Sequence, residues 1–122
     1  MITFDDFSKV EIKSGKILSA EKIPDTDKLL RLIVDFAEQV EVTAEDGTKS
    51  LVSKPRQIVS GIALYFPDPA ILVGKTCMFV TNLEPRVIKG HESNGMLFAV
   101  SSENNFSLLE PNNSIPPGTK AK

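Results

Sequence analysis

Two cations, one proline and two glycines in a single fifteen-residue stretch define the chemistry this chain offers. The stretch is Asn82-Leu83-Glu84-Pro85-Arg86-Val87-Ile88-Lys89-Gly90-His91-Glu92-Ser93-Asn94-Gly95-Met96, and it joins an apolar run ending at Asn82 to another beginning at Met96. Pro85 fixes one φ, while Gly90 and Gly95 permit backbone conformations or close approaches denied to residues with a Cβ. A shaped loop carrying Arg86 and Lys89 suits a polyanion, because Lys supplies a compact charge and Arg a fork matched to phosphate oxygens. Lys28, Arg31, Lys54 and Arg56 lie in flanking segments and would complete such a surface if folding brought them together. Taken singly, each reads first as a solvated surface charge.

Catalysis has no comparable support. His91 has no identifiable Ser or Cys partner, so a surface-loop role is the simpler reading. Asp25 and Asp27 flank a turn signal before Lys28, where Asp is favoured for local backbone hydrogen bonding. No Gly-rich phosphate loop opens a helix, which argues against nucleotide hydrolysis or ligation within this chain. With one Cys and one His there is no zinc-ligand spacing and no internal disulfide, and no cofactor is expected. Cys77, within Thr76-Cys77-Met78-Phe79-Val80, reads as a small buried hydrophobe.

The 122 residues should form one domain, residues 1–122, with a single core. The apolar runs are only a few residues long and no charged segment precedes them. The expectation is therefore a cytoplasmic protein with no signal peptide and no membrane span. A net charge of −2 is unusual for a binder of phosphates, but the charges are unevenly placed. Residues 9–31 hold six Lys/Arg against four Asp/Glu, and residues 49–91 hold six against two. Residues 35–46 hold five acids and no base. A cationic face opposite an acidic one and a scatter of solvated charges fit these counts about equally.

Short strands with turn signals account for most of the chain. Phe4 to Val10 suits a helical turn capped by Thr3 or Asp5. Gly15 to Ile23 suits a strand closed by Pro24-Asp25. Leu30-Arg31-Leu32-Ile33-Val34-Asp35-Phe36 alternates, placing Leu30, Leu32, Val34 and Phe36 inward and Arg31 outward. Val40 to Glu45 and Thr48 to Val52 flank Asp46-Gly47, which predicts a hairpin with a type I′ turn. Gln57 to Phe66 reads as a strand with a bulge or corner at Gly61. Pro67 to Gly74 reads as a short helix with Asp68 as N-cap and Pro69 at its first position. Further strands are expected at Thr76–Leu83, Met96–Ser101 and Phe106–Leu109, followed by a loop from Pro111. Periodicity alone supports a small, mainly β domain with little helix.

The 82–96 stretch, with Asp25-Thr26-Asp27-Lys28-Leu29 and Arg56-Gln57-Ile58-Val59-Ser60-Gly61-Ile62, resembles the tRNA-binding domain at the C-terminus of bacterial methionyl-tRNA synthetases. Similar domains occur in endothelial-monocyte-activating polypeptide and in free-standing tRNA-binding proteins. The resemblance runs from Phe4 to Gly118. It implies an oligonucleotide/oligosaccharide-binding (OB) fold: a five-stranded barrel with one or two short helices and, in this chain, an extra β-hairpin near residues 40–53. The family has a much shorter connection there.

The resemblance further implies a non-catalytic module that docks tRNA, forms a homodimer and serves as a domain or accessory subunit of a methionyl-tRNA synthetase. The matching positions are Lys28, Arg31, Lys54, Arg56, Ser60, Asn82, Arg86, Lys89, Ser93 and Met96. Asn82 and Ser93 have two even readings, contact with sugar or base edges and closure of a strand end and turn. For Met96 the core is the expected place. Val87 stands where related loops carry Lys, and the chain has no Trp and one Tyr, so base-stacking surface is thin. One branch of the family is a dimeric secretion chaperone, which makes peptide binding the alternative function.

Overall fold

The computed structural model describes residues 1–122. A five-residue helix, α1 (Phe4–Ser8), opens the chain. Its N-cap is Thr3, whose hydroxyl accepts from the Asp6 N–H at 3.1 Å while the Asp6 carboxylate accepts from the Thr3 N–H at 3.2 Å. This reciprocal box satisfies two otherwise unpaired donors of a helix too short to persist alone.

Five strands form the barrel. β1 (Ile12–Lys22) and β2 (Leu30–Asp35) lead to a hairpin, β3 (Gln39–Thr43) and β4 (Lys49–Ser53), then to β5 (Arg56–Ser60). Two 3-10 turns, Ala63–Tyr65 and Pro69–Leu72, precede β6 (Thr76–Val80). A second hairpin, β7 (Arg86–Ile88) and β8 (His91–Ser93), is followed by β9 (Met96–Leu97), β10 (Ala99–Ser101) and β11 (Phe106–Leu108). The main sheet has the order β5-β2-β1-β6-β9 with antiparallel neighbours throughout. β1 serves both halves: residues 12–16 pair with β6 and residues 16–22 with β2. Between Ile17 and Ser19 the register shifts, leaving Leu18 as an extra residue that bends the strand.

The sheet nearly closes into a barrel where β5 meets the segment around β8 and β9. The Asn94 N–H donates to the Gln57 carbonyl at 2.9 Å, and the Gln57 side-chain amide donates to the Glu92 carbonyl at 2.9 Å. Inside lie Ile17, Leu30, Leu32, Val34, Ile58, Leu72, Cys77 and Phe79, all fully buried. The alternation expected for residues 30–36 holds, with all four inward residues buried. Gly15 lets β1 pass close to β2: a Cβ there would fall 2.5 Å from the Phe36 ring.

Several local expectations are corrected. The Asp46-Gly47 turn is not type I′, because only Gly47 of the pair has positive φ (86°). Instead the Ala44 N–H donates to the Thr48 carbonyl and the Gly47 N–H to the Ala44 carbonyl, with the Asp46 carboxylate accepting from the Thr48 N–H at 2.9 Å. That is a three-residue loop with Gly in the left-handed position. The strand expected from Gln57 to Phe66 ends at Ser60; of the two readings of Gly61 the corner holds, since the chain bends there on its way to the 3-10 turn, while the bulge lies at Leu18. The short helix expected after Pro67 is present as a 3-10 helix over Pro69–Leu72, with Asp68 capping it through the Ala70 N–H as expected. The strand predicted from Met96 to Ser101 breaks at Phe98 into β9 and β10.

The tail from Pro111 has no regular structure, yet residues 118–121 lie against the outer edge of β1. The Ser14 N–H donates to the Thr119 carbonyl at 2.9 Å, and the Gly118 and Ala121 N–H groups donate to Ser14 and Ile12, each at 2.8 Å. The buried Ser14 hydroxyl donates to the Pro116 carbonyl at 2.8 Å and accepts from the Thr119 N–H at 3.0 Å.

Candidate nucleic-acid interface

The loop expected between Asn82 and Met96 is an ordered hairpin. Arg86 pairs with Ser93, Val87 with Glu92 and Ile88 with His91, leaving Lys89-Gly90 as a two-residue turn. Both turn residues have positive φ, 50° at Lys89 and 81° at Gly90, so this is the type I′ turn that the sequence suggested elsewhere. Lys89 therefore sits at the tip, exposed and in a conformation that favours Gly or Asn. Arg86 is also exposed, near the hairpin base.

Four anchors hold this hairpin to the barrel. Ser93 is buried, accepts from the Val59 N–H at 3.0 Å and donates to the Gly95 carbonyl at 3.1 Å. Asn82 accepts from the Glu11 N–H at 2.7 Å and donates to the Lys9 carbonyl at 2.6 Å. Of their two readings, the structural one thus accounts for both side chains. Gly95, at φ 156°, sits where a Cβ would meet the Val80 carbonyl at 3.1 Å and Ile58 at 3.0 Å.

The fourth anchor is Arg56. Its guanidinium donates Nε and Nη2 to the two Glu38 oxygens, each at 2.7 Å, and Nη1 to the Thr81 and Asn94 carbonyls at 2.6 and 3.2 Å. It also lies 5.3 Å from the centre of the Phe36 ring. Four of its five donor positions are occupied, so the reading of Arg56 as a free phosphate contact gives way to a cation that fixes both ends of the 82–94 segment. The Arg56 hydrogen bond holds the Glu38 carboxyl below its usual range, and the Glu38 hydrogen bond raises Arg56.

The remaining candidates fall into two groups along β5. Lys54, Arg56, Pro85 and Asn94 line one open cleft of about 640 Å³ between the β3–β4 hairpin and the β7–β8 hairpin, with Glu38 and Glu92 also on its walls. Lys28, Arg31 and Ser60 gather at the far end: Ser60 pairs with Leu30, Arg31 faces Val59, and the Lys28 carbonyl accepts from the Ala63 N–H. Four strand steps separate the two ends of β5, roughly 13 Å. Five ion pairs form in the chain, and none involves Lys28, Lys54, Arg86 or Lys89. Arg31 is bridged to Glu21, a half-exposed pair of small worth. Met96 is not in the core: it is 45% exposed, while Leu97, the next residue of β9, turns inward.

The β2–β5 face, flanked by the 23–29 loop and the 82–94 hairpin, is the surface on which OB barrels bind oligonucleotides. Sequence reasoning missed Glu38 and Gln57, which build the base of the hairpin; no spacing signal links residue 38 to 56. No helix is long and apolar enough to cross a membrane.

Comparison with known proteins agrees with this architecture. A sequence profile of the family described as "Putative tRNA binding domain" matches residues 12–120. The methionine–tRNA ligase of Methanospirillum hungatei is 46% identical over 99% of this chain, and the chain spans 16% of that enzyme's length. The chain is similar to a methionyl-tRNA-synthetase-related protein from Pyrococcus horikoshii (TM-score 0.80, 35% identity, 100% of this chain and 98% of the other). It is also similar to chaperone CsaA from Bacillus anthracis (TM-score 0.74, 27% identity, 100% and 99%). By a match that covers nearly its whole length, this chain belongs to the tRNA-binding domain family.

Proposed function

We propose that this chain is a non-catalytic module that docks tRNA through the sugar–phosphate backbone, with Lys28, Arg31, Lys54, Arg86 and Lys89 as phosphate contacts. The observation that carries the reading is the braced β7–β8 hairpin, which presents the unpaired Arg86 and Lys89 beside the cleft holding Lys54. Arg56, Asn82 and Ser93 act as the frame, and Ser60 and the exposed Met96 border the surface. Presented on a rigid hairpin, the two cations lose little freedom on binding. The relatives suggest service to a methionyl-tRNA synthetase, either as one of its domains or as an accessory subunit. Tethering would raise the local tRNA concentration at the enzyme without adding chemistry. A homodimer in the cytoplasm completes the reading.

Filter binding of tRNA at about 50 and 200 mM salt tests it. Five phosphate contacts predict micromolar or tighter affinity at the lower salt and a loss of roughly 10²–10³-fold at the higher. Absence of binding near about 10 µM at low salt rejects the proposal.

A second reading, a dimeric peptide-binding chaperone, has its own support. Ile2, Phe4 and Phe7 on and before α1 are 70%, 80% and 49% exposed, which is apolar surface a client segment could cover. Suppression of client aggregation that excess tRNA leaves unchanged would favour it.

A further inference from the structure

A second concave surface, remote in chemistry from the cation groups, lies between the 3-10 turn at Ala63–Tyr65 and the β10–β11 hairpin. It measures about 550 Å³, and none of the ten candidate interface residues lines it. Its floor is aromatic. Tyr65 stacks on Phe106 with ring centres 4.1 Å apart and planes 11° apart, and Phe66 meets Phe106 edge-on at 5.7 Å. Phe106 thus supports one face of the phenol ring from behind, while Tyr65 remains 51% exposed.

The walls carry negative charge only. Glu103 and Glu110 are the charged lining residues, joined by the amides of Asn104 and Asn105. Glu103, in the turn held by the Ser102 N–H to the Asn105 carbonyl at 2.8 Å, enters no ion pair. Glu110 is bridged to Lys75 at 3.4 Å, with both side chains about 40% exposed. An aromatic face under carboxylates repels phosphate and attracts a cation. A guanidinium matches both parts, since it stacks flat on a ring and forks to a carboxylate.

We propose that this cleft binds an arginine side chain of a protein partner, stacked on Tyr65 and paired with Glu103. The tRNA surface and this one would then be independent, one reading phosphates and the other a basic segment of polypeptide. The proposal does not rest on the tRNA reading, and its deciding measurement is peptide binding at this cleft, so either reading can fail while the other stands.

Nuclear magnetic resonance with the isotope-labelled full chain and a capped Gly-Arg-Arg-Gly peptide decides it. The expected result is a saturable shift confined to residues 65–66 and 102–108, absent with the matching Gln peptide. E103Q should weaken that binding at least threefold. Tyr65→Leu keeps apolar bulk over Phe106 but removes the π face, and it should weaken binding by a similar factor with the spectrum otherwise unchanged. Peptide shifts spread over the acidic 35–46 segment, or no saturable shift at the cleft, overturn the proposal. A uridine trinucleotide that shifts these residues where the peptide does not overturns it as well, because the cleft would then be a base platform.

Discussion

Arg56 and Glu38 meet in a two-pronged ion pair, both prongs at 2.7 Å, at the point where the β3–β4 hairpin leaves the barrel and the 82–94 segment crosses it. The pair is about three-quarters buried on the Arg side and two-thirds on the Glu side. Removing one partner leaves the other's charge desolvated, and removing Arg56 also frees the Thr81 and Asn94 carbonyls. Arg56→Met should therefore destabilise the fold by about 2–4 kcal/mol, measured by urea unfolding. It should also speed amide exchange at residues 82–94. Stability within about 0.5 kcal/mol of wild type would show that the pair holds nothing in place.

The same pair gives acid sensitivity a sign. Folding lowers the Glu38 pKa below its ordinary 4.5, chiefly through the Arg56 hydrogen bond, so its stabilisation is present above 4.5 and is lost as pH falls through the lower folded value. Glu11 shifts the same way, chiefly through its hydrogen bond from Thr81. Stability should fall on acidification below 4.5, and Glu38→Gln should flatten that fall while lowering stability at neutral pH. An unchanged pH slope in the variant would assign acid unfolding to other carboxylates.

Charge and conformation separate at the hairpin tip. Lys89→Gly removes a cation and also relieves a non-glycine residue at φ 50°. It should stabilise the fold by up to about 1 kcal/mol while reducing the salt slope of tRNA binding by roughly 0.7–0.9. Arg86→Glu with Lys89→Glu should abolish tRNA binding and leave the unfolding midpoint within a few degrees. Equal tRNA affinity in the double variant would exclude the hairpin from the interface.

Gly118 tests the attachment of the tail. A Cβ there would lie 2.4 Å from the Phe36 carbonyl, and φ is 82°. Gly118→Ala should cost about 2–3 kcal/mol by thermal or urea unfolding. Tolerance of the change would mean that residues 118–121 leave β1 without consequence for the core.

Cys77 should be chemically silent. The thiol is fully buried, and desolvation pushes its pKa up to about 11. A thiol reagent at pH 8 should react with unfolded chain at least a hundredfold faster than with native chain.

Periodicity made the barrel interior legible: the alternation of Leu30, Leu32, Val34 and Phe36 named its buried face from sequence alone. Turn chemistry was half legible. Asp46-Gly47 and Lys89-Gly90 both end in Gly, and the sequence assigned the type I′ geometry to the wrong pair. The deciding factor was the three-residue loop that the Asp46 carboxylate stabilises through the Thr48 N–H, a contact that spacing does not announce. Family resemblance picked out the candidate cations as a set, but the division between frame and surface was not legible. Arg56 and Lys54 are near neighbours of the same charge type, and only the folded position of Glu38 draws one inward and leaves the other free.

Ser14 offers a consequence of another kind. Its buried hydroxyl and backbone are met by residues 116–119, more than a hundred positions further along the chain, while the other side of β1 is met by β6. During synthesis residues 12–14 precede those partners by more than a hundred residues and wait for them until that whole stretch has been made. Through that interval one strand border stands open, and it is there that a chaperone or a second nascent chain would first find purchase.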